Sequence, residues 1–199
     1  MSVHFCLALL ALSSLTAASD PGCEELIKPL DDQKQLFGKW IFHSGISDNA
    51  NSLRELKTVN SSWIKLSPTP DNDVMTLSWG DRVDGKCHYG SVNFTFSVNS
   101  INVTFSFNSS SHAHAGNYMV TCPECILWTD TSVTTGNGET RKGRNLYLFT
   151  KSGELDVSYL DVFKKQAACL NFQPDIFSVD NADLCPDEKE PTTDVMEDE

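Results

Sequence analysis

The chain is short of several things, and each shortage removes a class of function. Apart from one early stretch, no apolar run approaches the ~18 residues that a membrane-spanning helix needs, so no stable membrane insertion is expected. Positive charge is scarce: 15 Lys and Arg stand against 27 Asp and Glu, a net charge of −12. That balance argues against nucleic acid and anionic membrane surfaces as partners. There is no Gly-x-Ser-x-Gly elbow, no phosphate-binding Gly-rich loop and no His-Glu-x-x-His. Ser, His and Asp are plentiful, but abundance does not make a triad. No enzyme activity, catalytic residue or cofactor is therefore expected. His112-x-His114, together with His88, has no third ligand fixed by spacing. It reads as surface decoration rather than a metal site.

What is present points outward from the cell. Phe5 to Leu12 is a short apolar run, followed by the small residues of Leu15-Thr16-Ala17-Ala18-Ser19. Its flank lacks Lys and Arg, but the layout is that of a cleaved secretory signal peptide. We assign 1–18 to the signal, 19–185 to one domain and 186–199 to an acidic tail. The tail carries seven acids against Lys189 alone, a net −6 and half of the chain's excess. It reads as disordered and solubilising, or else as a docking site for a basic partner. Of seven cysteines Cys6 leaves with the signal, and an even six remain. In an exported chain these read as disulfides, but six cysteines allow 15 pairings and spacing does not choose among them. Four Asn-x-Ser/Thr sequons, at Asn60, Asn93, Asn102 and Asn108, fit passage through a glycosylating compartment. The expected localisation is extracellular. About 180 mature residues can bury roughly 70% of their unfolded surface as one domain.

The organising stretch is Leu36-Phe37-Gly38-Lys39-Trp40-Ile41-Phe42. A Gly lets the backbone turn beneath a barrel, and a Trp two residues on can plug its narrow end. Strands are expected at about Lys39–Ile46, Leu56–Leu66 and Met75–Trp79, with Asp48 to Ser52 a polar loop over the mouth. Between Lys86 and Val98 the even positions Val92, Phe94, Phe96 and Val98 are apolar. After a turn at Asn99-Ser100 the parity swaps to Ile101, Val103, Phe105 and Phe107. This is a hairpin with one apolar and one polar face. Three sequons lie on the polar face, and a glycan cannot sit inside a barrel, so the four phenylalanines point inwards. Ser109 to Ala115 reads as a loop, Gly116–Cys122 and Cys125–Thr131 as strands, Gly136 to Arg144 as an exposed loop and Asn145–Thr150 as the last strand. From Ser152 the period changes: Leu155, Tyr159, Phe163 and Ala167 recur every four residues, one stripe of a helix. The expected fold class is all-β, an eight-stranded up-and-down antiparallel β-barrel with one C-terminal α-helix packed outside. Eight strands leave room for one small ligand.

Gly38-Lys39-Trp40, eight strands and a late helix resemble the lipocalins. Cys23 before that motif, Cys87-His88-Tyr89, Ala168-Cys169-Leu170 and Leu184-Cys185-Pro186 before an acidic tail narrow the resemblance. From Cys23 to about Lys189 the chain is similar to the orosomucoid (alpha-1-acid glycoprotein) branch. It is also similar to fish lipocalins that bind saxitoxin and tetrodotoxin, or tributyltin. The resemblance implies bridges Cys23–Cys169 and Cys87–Cys185. Cys122-Pro123-Glu124-Cys125 is extra to that pattern, and reads as a bridge across a hairpin or as a redox pair. Two departures bear on Trp40: Trp128-Thr129-Asp130 lacks the Tyr expected after it, and no Arg lies near Thr150-Lys151 to close the barrel base.

For ligand binding the resemblance implies Phe42, Ile64, Leu77, Tyr147 and Phe149, and parity adds Phe94, Phe96, Phe105 and Phe107. Trp79 and Tyr118 complete the set. So many aromatics on one interior favour a lined cavity over a packed core. Strand 56–66 holds a conflict, since simple alternation from a glycan-bearing Asn60 turns Ile64 outward; a bulge or an unused sequon would resolve it. The expected protein is a monomeric, secreted, glycosylated carrier of a small hydrophobic or basic amphiphilic ligand. A guanidinium-toxin binder is a variant, in which Asp81, Asp84, Glu124 or Asp130 approach the pocket. The alternative is an acute-phase or immunomodulatory glycoprotein that acts through glycans and protein partners.

Overall fold

At Gly38 the backbone φ is +108°, a value open to glycine and strained for other residues, and the chain turns there into its first strand. Two residues on, Trp40 is 3% exposed and donates its Nε1 hydrogen to the carbonyl of Leu36 at 2.7 Å. Leu36 ends a 3₁₀ turn, Gln33–Leu36, and is wholly buried. Lys151 sets its Nζ 3.5 Å from the centroid of the Trp40 ring. The base is thus sealed by a cation–π contact, with lysine on the indole where the resemblance implies arginine. The structure, a computed structural model, describes residues 22–187 except Asn72, Val98, Asn99, Asn108, Asn137 and Pro174; the side chains of Phe96, Ser97 and Phe107 are also outside the described part. The signal segment, most of the acidic tail and the Asn108 sequon therefore lie outside it.

Eight antiparallel strands form the barrel: β1 (Gly38–Ser47), β2 (Val59–Pro68), β3 (Val74–Val83), β4 (Lys86–Ser97), β5 (Ser100–Phe107), β6 (Ser110–Met119), β7 (Cys125–Gly136) and β8 (Glu139–Thr150). Each pairs with the next, and β1 closes the ring. Its first residues pair with β2 and its later ones with β8, with an irregularity between Phe42 and Ser44. A two-residue strand β9 (Phe177–Ser178) adds to β1 from outside. The eight-stranded up-and-down barrel expected from the sequence is borne out, and so is its late outer helix.

Three local expectations are corrected. The presumed mouth loop holds a helix, α1 (Ala50–Leu56), started by Asn49, whose side chain accepts from the amides of Asn51 and Ser52. The presumed loop from Ser109 is strand β6, with His112 and His114 facing the interior rather than decorating the surface. Polar residues on both its faces had erased the alternation that marks a strand. The presumed loop from Gly136 is mostly the end of the β7–β8 hairpin, which pairs out to Gly136 and Glu139.

Outside the barrel, α2 (Val157–Cys169) starts at Asp156, which caps the amide of Ser158. Its stripe buries Phe163 and Ala167 against Leu127, Leu146 and Leu148. Gln166, 1% exposed, is the buried polar member. It donates to the carbonyls of Leu26 and Val120 and accepts from Thr121, so every hydrogen-bonding group is satisfied. Disulfides join Cys23 to Cys169, Cys87 to Cys185 and Cys122 to Cys125. The C-terminal segment straps the outer face of β2: Ser61 donates to the carbonyl of Asp183, and Trp63 Nε1 to that of Cys185 at 2.8 Å. The Trp63 indole lies where a Cβ on Gly80 would be, 2.6 Å away, so that position admits only glycine.

Candidate ligand-binding site

The inward positions of the eight strands do not fill the barrel. They surround a cavity of about 310 Å³. Of the residues expected to contact a ligand, Phe42, Ile64, Leu77, Trp79, Phe94, Phe105, Tyr118, Tyr147 and Phe149 line it. The side chains of Phe96 and Phe107 fall outside the described part. Ring contacts order the wall: Phe42 meets Tyr147 and Phe149 edge-on at 6.0 and 5.6 Å, and Tyr118 meets Trp128 at 4.8 Å.

Ile64 faces inward because the β2–β3 register shifts between Val59 and Ser61. That bulge absorbs Asn60, which is exposed, and lets Val59, Ser62 and Ile64 all face the cavity. The sequon and the lining residue are therefore compatible. Asn93 and Asn102 are also exposed.

Two carboxylates interrupt the apolar wall. Asp130, 4% exposed on β7, accepts from Trp128 Nε1 at 2.9 Å and from Asn145 Nδ2 at 2.7 Å, and pairs with His114 Nδ1 at 2.7 Å. Asn145 also donates to Ser132 at 3.0 Å, while its own buried Oδ1 has no donor among the described residues. Asp81 on β3 sits in register between Ser62 of β2 and His88 of β4. Burial lifts its carboxyl above the ordinary value, against the hydrogen bond from Ser62 and the charge of His88. Burial also raises the phenols of Tyr118 and Tyr147, with Asp130 adding to both and Glu55 and Asp81 to Tyr147. The phenols thus stay protonated and can donate to an acceptor or offer an oxygen lone pair.

Of the four acids expected to approach the pocket, Asp81 and Asp130 line it. Asp84 lies in the exposed β3–β4 turn. Glu124 lies at the opposite end, its carbonyl accepting from the amide of Lys151 beside the base. Leu56, Val59, Ser62, Ile101, Val103, His114 and Trp128 also line the cavity and were absent from the expected set. For Ile101 and Val103 the signal existed in the parity of β5. For His114 it did not, because an inward histidine in a small-residue stretch has no periodic signature. Among the described residues no group of three or more His, Cys, Asp or Glu could hold a metal. No helix among them is long and apolar enough to cross a membrane.

A closed antiparallel barrel with an indole-plugged base, an outer helix and an aromatic internal cavity has the architecture of a calyx. Its fold is that of the lipocalins. The siderocalin Ex-FABP matches with a TM-score of 0.57 at 16% identity, over 78% of this chain and 97% of its own. A dog lipocalin allergen matches at 0.58 and 17%, over 76% and 97%. Aphrodisin, a sex pheromone from female hamster, matches at 0.58 and 13%, over 76% and 99%. No family model and no curated protein sequence matches the chain.

Proposed function

We propose that the chain is a secreted, N-glycosylated, monomeric lipocalin of the orosomucoid type that carries small lipophilic or cationic-amphiphilic molecules. The observation that carries this reading is one aromatic-walled cavity of about 310 Å³ with the carboxylates of Asp81 and Asp130 in its wall. Removing apolar ligand surface from water supplies about 2.5 kcal/mol for every ~100 Å². The two acids and the ring faces favour a basic head group through charge and cation–π attraction. A guanidinium toxin such as saxitoxin or tetrodotoxin is a variant of this reading, in which the two acids rather than the apolar wall carry recognition. The siderocalin match is to a protein described as having dual ligand specificities, which accords with a calyx that serves apolar and charged parts of a ligand together.

The scaffold alternative, in which glycans and tail engage a protein partner, gains support only from a solid barrel, and the hollow interior favours the carrier. The test is competitive titration of disulfide-intact protein with neutral and basic fluorescent probes. Both are expected to bind and to displace one another. Asp81→Asn is expected to weaken the basic probe about tenfold, the loss of one charged contact, and to leave the neutral probe unchanged. Absence of any displaceable probe would overturn the carrier reading. An equal effect of the substitution on both probes would remove the basis for a cationic head group.

A further inference from the structure

We infer that ligand enters and leaves this barrel through its side, between β4 and β5, with Trp79 and Phe105 as the gate. The inference rests on the carrier reading for its ligand but on separate observations for its route. Among the described residues the two strands pair only at Phe96–Ile101 and Ser97–Ser100, beside their turn. Every other neighbouring pair in the ring from β2 to β8 holds seven or more ladder pairs. From Lys86 to Thr95 strand β4 is therefore paired with β3 alone, and from Asn102 to Ser106 strand β5 is paired with β6 alone. The β8–β1 seam holds six ladder pairs and β1–β2 four, so among the described residues β4–β5 is the least paired seam of the wall, and beyond the turn no ladder hydrogen bonds hold the lips of this slit together.

Side chains, not backbone, bridge the slit. Trp79 starts on β3 and its ring lies against Gly90 of β4, where a Cβ would stand 2.0 Å from Cζ2. Passing that glycine, it reaches Phe105 of β5 at 5.2 Å between ring centroids. Phe105 is backed in turn by His112 and His114, stacked at 5.1 and 5.8 Å. Among the described residues Trp79–Phe105 is the ring contact that spans the slit, and a rotamer change of either ring parts it. The mouth, by contrast, is tied down. Helix α1 places Leu56 over the cavity, and its surroundings are fastened by Arg141–Glu55 at 2.7 Å, Arg144–Asp48 at 2.8 Å, Lys57–Asp175 at 3.3 Å and the Asn49 amide on the Lys142 carbonyl at 2.9 Å. Opening there requires several contacts to break together.

The experiment staples the slit. Ser91→Cys and Ser106→Cys are exposed and face each other if the β4–β5 register is continued. A short bis-maleimide joins them without touching the native cysteines in the described fold, all of which are in disulfides. With dansylcadaverine as the probe, stopped-flow fluorescence of the stapled protein is expected to show association and dissociation both slowed about tenfold or more, at a nearly unchanged Kd. The two single-cysteine variants capped with maleimide should keep the native rates. A staple confirmed by mass with unchanged rates would overturn the portal. Should dansylcadaverine bind neither form, the carrier reading fails, and hydrogen exchange still decides the slit. Amides of Asn102–Ser106 that face β4 are expected to exchange as fast as loop amides. Protection equal to that within β6–β7 would overturn it.

Discussion

At the scale of single residues the site is a conflict between burial and charge, and Asp81 shows its sign. Burial raises its carboxyl above 3.8 in the folded protein, so the native state takes up this proton more readily than the unfolded chain. Its ionised form therefore costs stability at pH above the native value, and the cost vanishes as pH falls through that value towards 3.8. Asp81→Asn is expected to raise Tm at neutral pH and to leave it unchanged where the carboxyl is already protonated, measured by thermal melts across pH. Affinity for a cationic probe runs the other way. It should fall on acidification before ordinary carboxylates titrate, and Asp81→Asn should flatten that part of the profile. At the base, Lys151→Ala is expected to cost about 1 kcal/mol of stability through the lost contact with Trp40, and Lys151→Arg to recover it. Denaturant melts measure both. The Trp was legible at once, because Gly-x-Trp announces a turn and a plug. The lysine was not, since nothing local to Thr150-Lys151-Ser152 marks it as a partner of an indole more than a hundred residues earlier.

Among elements, legibility followed contrast between faces. The β4–β5 hairpin alternates apolar and polar residues, and its inward set followed from parity; helix α2 announced itself by a four-residue recurrence. Strand β6 could not be read, since Ser, His, Ala and Gly occupy both of its faces. Its inward histidines are no more apolar than its outward residues, so hydrophobic pattern carries no record of them. Its place is enforced by close approach: a Cβ on Gly116 would stand 2.0 Å from the carbonyl oxygen of Thr129 on β7. Gly116→Ala is expected to prise the β6–β7 pair apart and to cost about 2 kcal/mol, measured as a drop in denaturant midpoint. The bridges differ in their consequence by loop length. Cys23–Cys169 spans 146 residues and Cys122–Cys125 only 3. On chain entropy alone, replacing the first pair by serine costs about 5 kcal/mol and the second about 2. Comparative unfolding of the two double variants checks the order.

Taken whole, the molecule is a sealed-base barrel whose interior cavity has an aromatic wall interrupted by two carboxylates. The fold was legible because strand count, hairpin parity and a late helix converge on one architecture. The cavity lining was legible in its aromatic members, where type and parity agree, and less so in its polar ones. Asp130 illustrates the difference: its partners Trp128, His114 and Asn145 come from three neighbouring strands, and only the register of β6, β7 and β8 brings them together. Native mass spectrometry of protein purified from its own source, followed by incubation with dansylcadaverine, tests the central claim most directly. The account predicts one small organic molecule retained per chain, released on unfolding, or one equivalent of the probe taken up in its place. A bare chain mass that stays bare after incubation would contradict it.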